Sequence, residues 1–193
     1  GYTIQGMYLE KGSFVGTLKG NAQIKDLTIA DAVVASGRAG LAGTMESSSV
    51  ISGCAFEGAI VSKQQYTGGI AGEIESNAKV EKSTAKTKIL SDQDNVGGIT
   101  GKNAGMISEC AANAVITATS TSMIKLIGGI AGENTGTIQN CYAKGRLTTT
   151  VAKKIQKIGG ITGKNTKKIQ NCYSTVSISK GDVMGTSAGA IVS

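Results

Sequence analysis

The sequence predicts an all-β fold: a right-handed parallel β-helix (β-solenoid) with about three short strands per coil and a repeat of 29–31 residues. Three observations predict it. The first is a glycine anchor, Gly128-Gly129-Ile130-Ala131-Gly132, with clear copies at Gly68-Gly69-Ile70-Ala71-Gly72, Gly97-Gly98-Ile99-Thr100-Gly101 and Gly159-Gly160-Ile161-Thr162-Gly163. A close copy stands at Ala39-Gly40-Leu41-Ala42-Gly43, and degenerate ones at Val15-Gly16-Thr17-Leu18 and Ala188-Gly189-Ala190-Ile191. Aligned on Gly16, Gly40, Gly69, Gly98, Gly129, Gly160 and Gly189, the intervals are 24, 29, 29, 31, 31 and 29 residues. A fixed period in this range marks a solenoid or array.

The second observation is that two further apolar clusters keep step with the anchor. An aliphatic residue followed three positions later by a small or apolar one recurs as Ile24…Leu27, Ile51…Cys54, Val80…Ser83, Ile107…Cys110, Ile138…Cys141 and Ile169…Cys172. Six residues beyond comes a third position: Val33, Ile60, Ile89, Ile116, Leu147 and Ile178. Clusters this short and this rich in β-branched residues read as strands, not helices. The third observation is composition. The 193 residues include 28 Gly, no Pro, no Trp and only 4% aromatics, with 40% hydrophobic residues. Ile, Val, Leu, Ala and Cys suit narrow stacked layers. Regular apolar spacing argues against a disordered glycine-rich linker. Glycine pairs in every repeat argue against helical hairpins, and the period is too short for propeller blades.

Taken in order, Tyr2, Ile4, Met7 and Leu9 alternate around Gly6, a half-buried strand with a bend at the glycine. Repeats then follow without a linker, so residues 1–193 read as one domain and as a fragment of a larger protein. Residues 1–36 form an entry coil, 37–173 the repeats and 174–193 a last partial coil. In the 31-residue repeats the extra length falls at Thr117 to Lys125 and Thr148 to Lys157, after the third cluster, where turns are expected. Equivalent residues should stack into ladders one strand spacing apart. One ladder holds Cys54, Cys110, Cys141 and Cys172; another holds Ile60, Ile89, Ile116, Leu147 and Ile178. Gly69, Gly98, Gly129 and Gly160 should sit where the chain bends or packs backbone against backbone.

The residues quoted for Gly128 to Gly145, continuing as Glu133-Asn134-Thr135-Gly136-Thr137-Ile138-Gln139-Asn140-Cys141-Tyr142-Ala143-Lys144-Gly145, resemble the GLUG motif, a glycine-rich repeat of bacterial surface and secreted proteins. Gly159 to Tyr173 is similar, with Lys167 in place of Gly136; Gly97 to Cys110 resembles the first half. The resemblance spans about Gly37 to Tyr173. The opening resembles the segment preceding such repeats in the β-helical part of immunoglobulin A1 proteases. It implies an extracellular, wall-associated scaffold or adhesin-type module with no catalytic residue in this piece. The zinc motif of those proteases needs His, and there is none here.

The absence of His also excludes a Ser-His-Asp triad, a Cys-His dyad and His-based zinc. No catalytic residue, metal or cofactor is expected. The cysteines read as small buried residues; a Cys110–Cys141 or Cys141–Cys172 disulfide is the alternative. Ser91-Asp92-Gln93-Asp94-Asn95 offers too few oxygens for calcium and reads as a solvated turn. A net charge of +7 allows an anionic partner. The densest basic stretch is Lys153, Lys154, Lys157, Lys164, Lys167 and Lys168. It is the candidate patch for a host glycoprotein or cell-wall polyanion, and a solvated face is the plainer reading. Tyr142 and Tyr173 should pair across strands or form a sugar platform. Flanking domains of the same chain are expected partners; nucleic acid and membrane insertion are not. A glycan-active enzyme of polysaccharide-lyase type is the competing function. It would need an acidic cluster with Arg or Lys, and only Arg38 and Arg146 are present.

Overall fold

The computed structural model describes residues 1–119, 124–149, 155–180 and 186–189. Among these every regular element is a strand, and strands pair in parallel with their equivalents one coil away. One coil shows the plan. Thr67–Gly68 forms a corner strand, Ala71–Ile74 an anchor strand, Lys79–Glu81 a short strand and Thr84–Ser91 a long strand. Stacked over successive coils these make a corner sheet of five strands, an anchor sheet of six, a short sheet of six and a long sheet of eight. The three expected clusters are present, but the glycine anchor contributes two strands, because the chain turns a corner inside it.

The turn is visible in the hydrogen bonds. The amides of Ile70 and Ala71 both donate to the carbonyl of Ile99, at 3.0 and 3.1 Å. Ile99 and Thr100 do the same to Ile130, and Ile130 and Ala131 to Ile161. Two successive N–H groups aimed at one acceptor require a sharp bend. Gly69, Gly98 and Gly129 are needed there for space. A Cβ on each would stand 2.6–2.7 Å from the methyl of Ala85, Ala112 or Ala143 on the opposing long sheet. The second corner, between the short and long strands, is made by a single residue with positive φ: Asp26, Gly53, Lys82, Glu109, Asn140 and Asn171. Asn and Gly accept this conformation readily; Lys82 and Glu109 hold it at a steric cost.

Two expected alignments are corrected by the register. Gly16 lies under Gly43, the third glycine of its anchor, since Val15 pairs with Ala42 and Thr17 with Thr44. Gly189 pairs with Gly159, a first glycine. The 24-residue interval therefore does not exist; Gly16 and Gly43 are 27 residues apart. Val33 is likewise displaced. A bulge between Ile29 and Ala32, with Asp31 at positive φ, shifts the strand so that Val34 pairs with Ile60 and is buried, while Val33 faces solvent. An extra residue in one strand inverts every side chain after it.

The core is a column of ladders. Ile51, Val80, Ile107 and Ile138 stack from the short sheet, Ile60, Ile89, Ile116 and Leu147 from the long sheet, and Leu41, Ile70, Ile99, Ile130 and Ile161 from the anchor corner. Each fully buried aliphatic contributes about 1.5–3 kcal/mol. The end rungs Ile24, Ile169, Cys172 and Ile178 are only partly buried. At the inner end of the anchor strand the ladder changes character, running Leu18, Met45, Ile74, then Asn103, Asn134 and Asn165. Of the two long turns, residues 120–123 and 150–154 lie outside the described residues. The strands that follow, Ile124–Gly128 and Ile155–Gly159, have five residues where Val96–Gly97 has two, so part of the added length is strand.

Candidate functional site

The basic stretch does not gather into one cluster. Lys153 and Lys154 lie outside the described residues. Lys157 belongs to the corner sheet, Lys164 to the anchor sheet, and Lys167 and Lys168 to the entry and first residue of a short-sheet strand. Lys164 is held by Glu133, with Nζ 2.7 Å from Oε1. This pair belongs to an alternating row on the outside of the anchor sheet: Thr44, Glu73, Lys102, Glu133, Lys164. Lys102 reaches Glu73 at 2.8 Å. The Glu73 carboxylate raises the Lys102 ammonium above its ordinary range. Glu133 also accepts from Asn95 Nδ2 at 3.3 Å. The row neutralises itself, strand by strand.

Its N-terminal end carries the most strained aromatic of the chain. Tyr66 occupies the corner position that Asn95 fills one coil later, at φ 60 against φ 58. Asn tolerates this region; a ring does not, at about 1–2 kcal/mol. The Tyr66 ring lies 5.6 Å from the Arg38 guanidinium carbon and 5.2 Å from Lys102 Nζ, and Arg38 reaches both Thr44 Oγ1 and Glu73 Oε2. The ring thus covers an ion-paired triad and offsets part of its strain by cation–π contact.

The cysteine positions are structural in geometry. Cys54, Cys110 and Cys141 are buried and Cys172 half-buried, all as free thiols. Each donates to the carbonyl two residues before it, to Ser52, Ser108, Gln139 and Gln170 at 3.1–3.3 Å. The Cys110 amide donates to Cys141 Sγ at 3.4 Å. Side-chain hydrogen bonding with the Cys110 thiol, together with burial, pushes the Cys141 thiol up to about 12 although the Cys110 amide pulls the other way, and Cys172 is raised by the Cys141 thiol and by burial. Such thiols stay protonated and unreactive near neutral pH. The 91–95 turn closes on itself, with Ser91 Oγ accepting the Gln93 amide and Gln93 Nε2 donating to Asp92. Among the described residues no group of three His, Cys, Asp or Glu side chains is arranged to hold a metal ion.

Tyr142 and Tyr173 stack with centroids 5.4 Å apart and planes within 10°. Each ring buries one face on the other, so the pair is a cross-strand stack. It borders a surface that the spacing argument overlooked: the outer face of the long sheet. Alternate residues of its eight-residue strands point outward and align into rows along the solenoid axis. One row runs Glu57, Lys86, Asn113, Lys144; the next runs Ala59, Lys88, Val115, Arg146. Lys86 is ion-paired with Glu57. Lys88, Lys144 and Arg146 make no ion pair with any described residue. Between and beside them Val33, Leu90 and Val115 are 40–45% exposed. Small side chains among longer ones leave a trough of about 510 Å³ bordered by Val33, Glu57, Ala59, Lys86, Lys88 and Val115. The legible signal was the period-two pattern Lys86, Lys88 and Lys144, Arg146 within predicted strands, read across repeats instead of along the chain.

Comparison with known proteins finds a matching family model and matching solved structures. The family model of the GLUG motif matches residues 125–149, which carry the anchor, the Asn134 rung and the Cys141 rung. A crystal structure from Bacteroides ovatus, named as a candidate immunoglobulin A1 protease, superposes with a TM-score of 0.77 at 19% identity. The match covers 97% of this chain and 66% of that one, so the chain spans about two thirds of that structure and shares its fold. Among curated proteins none matches the sequence.

Proposed function

We propose that this chain is a non-catalytic β-helical module of a bacterial cell-surface or secreted protein, acting as a stalk, spacer or adhesin-type scaffold beside flanking domains of the same chain. The observation that carries it is the uninterrupted column of ladders. Nearest-neighbour stacking yields a stiff body of constant cross-section whose length scales with coil number and whose sides remain free for presentation. The GLUG match and the shared fold support the extracellular placement. The partly buried end rungs, Ile24, Ile169 and Ile178, suit contact with neighbouring domains.

The test is accessibility on intact cells of the producing bacterium. Antibodies against this chain should label unpermeabilised cells or the culture medium, and added protease should remove the label. A signal seen only after lysis overturns the reading. The purified chain should release no product from polyuronates or from immunoglobulin A1; turnover that persists after repurification would make it an enzyme.

A further inference from the structure

We infer that the outer face of the long sheet is a docking surface for a linear acidic polysaccharide, carboxylated or sulfated, lying along the solenoid axis. The inference deepens the proposed binding role and rests on it. It places the anionic partner on a different face from the Lys157–Lys168 segment.

The geometry follows from strand pairing. Neighbouring rungs of a row stand about 4.8 Å apart, so Lys88 and Arg146, separated by Val115, have backbones about 9–10 Å apart along the axis. Lys86 and Lys144, separated by Asn113, repeat that spacing in the adjacent row. Along one strand Lys144 and Arg146 are two residues, about 7 Å, apart. The four cations therefore frame a patch whose centre is Asn113 and Val115. Only Lys86 has an anionic partner, Glu57. Unpaired like charges about 7–10 Å apart repel one another across roughly one screening length, and a bound polyanion would remove that cost. The direction of the rows requires a ligand whose charges repeat along its length.

The surface between the cations selects the chemistry. Val33, Leu90 and Val115 are exposed and aliphatic, and Ala59 floors the trough. A sugar ring presents a C–H face to such a floor while its carboxylates or sulfates reach outward to the frame. A nucleic acid would ask for aromatic side chains interleaved with the cations. The two rings nearby, Tyr142 and Tyr173, stand outside the frame and stack on each other. A peptide adding as a strand needs a sheet edge, whereas this is a sheet face.

The experiment uses the full chain, with heparin and polygalacturonate as sulfated and carboxylated probes and dextran as the uncharged control. Three variants are compared by calorimetry: Lys88→Gln/Lys144→Gln/Arg146→Gln, Val115→Glu, and the control Lys157→Gln/Lys164→Gln/Lys167→Gln/Lys168→Gln. The first should weaken binding at least tenfold and lower the slope of log affinity against log salt by roughly two to three. Val115→Glu should weaken it comparably with the cations intact. The control should change affinity less than about twofold, and the dextran should not bind. All four proteins should keep the same thermal midpoint within a few degrees, since these side chains are exposed. Absence of binding to both acidic probes, equal loss in the control variant, or full competition by single-stranded oligonucleotide would each overturn the assignment. A chain that labels intact cells yet binds neither probe would leave the module reading standing and remove only this surface.

Discussion

The first three coils and the last three solve the same packing problem with different chemistry. Toward the N-terminus the inner end of the anchor strand is filled by bulk, Leu18, Met45 and Ile74, and the opposing long strand supplies Phe56, whose ring occupies the space a Cβ on Gly40 would need. Toward the C-terminus the same positions are Asn103, Asn134 and Asn165, and the opposing residues, already Ala85 in the Ile74 coil, stay small as Ala112 and Ala143. There Asn103 Nδ2 donates to Asn134 Oδ1 and Asn134 Nδ2 to Asn165 Oδ1, both at 2.7 Å, while Asn134 Oδ1 also accepts the Gly136 amide at 3.3 Å. Buried amides are held by bonding one another, and only at the junction with Ile74 is an end left over, where Asn103 Oδ1 has no partner. A polar ladder therefore demands a regular repeat on both sides, and the C-terminal repeats are the regular ones. An apolar ladder tolerates the bulge at Asp31 and the shortened first interval, because dispersion has no directional requirement.

That contrast can be broken from either side. The largest effect is expected from Phe56→Ala, which removes the one large ring of the core and should cost about 3–5 kcal/mol in a denaturant titration followed by circular dichroism. A loss under 1 kcal/mol would show that the N-terminal coils collapse onto the gap. Next is Asn134→Leu, isosteric in bulk but leaving Asn103, Asn165 and the Gly136 amide short of partners. It should cost about 2–4 kcal/mol, whereas Met45→Leu at the equivalent apolar rung should cost less than about 1.5 kcal/mol. Equal losses would mean that the two ladders do not differ in kind.

The third prediction concerns pH. The Cys141 thiol is ordinarily near 9 and is held up to about 12 in the fold. A raised value means the unfolded chain ionises first. The associated stability is full below pH 9, falls as pH rises toward 12, and should fall less steeply in Cys141→Ala measured alongside. Parallel curves would show that the thiol titrates alike folded and unfolded. Smallest is the corner between short and long strands. Glu109→Asn should stabilise by about 0.5–1 kcal/mol by easing positive φ, while Asn140→Ala should destabilise by a similar amount; thermal midpoints moving the other way would place the strain elsewhere.

Much of this molecule was legible in its residues. The period, the parallel stacking, the Cys rungs and the Ile60 to Leu147 rungs all follow from spacing, because a solenoid maps sequence period directly onto neighbours in space. Where the repeat degenerates the mapping fails: Gly16 aligns with Gly43, and Val34, not Val33, enters the core. Charge was read along the chain, where Lys153 to Lys168 look dense. The fold instead sets charge beside charge one coil away, so Lys164 meets Glu133, and Lys88 meets Val115 and then Arg146.

The sequence by itself determined that this chain stacks strands in coils of about thirty residues around aliphatic ladders, since short-range spacing and β-branched content suffice for that. Only the tertiary structure decided the corner inside the glycine anchor, the strained Tyr66 over Arg38 and Lys102, the change from an apolar to an asparagine ladder, and which lysines remain unpaired. Those depend on what lies one coil above and below, and hydrogen bonds and ion pairs are set by distances in space that the order of residues along the chain does not contain.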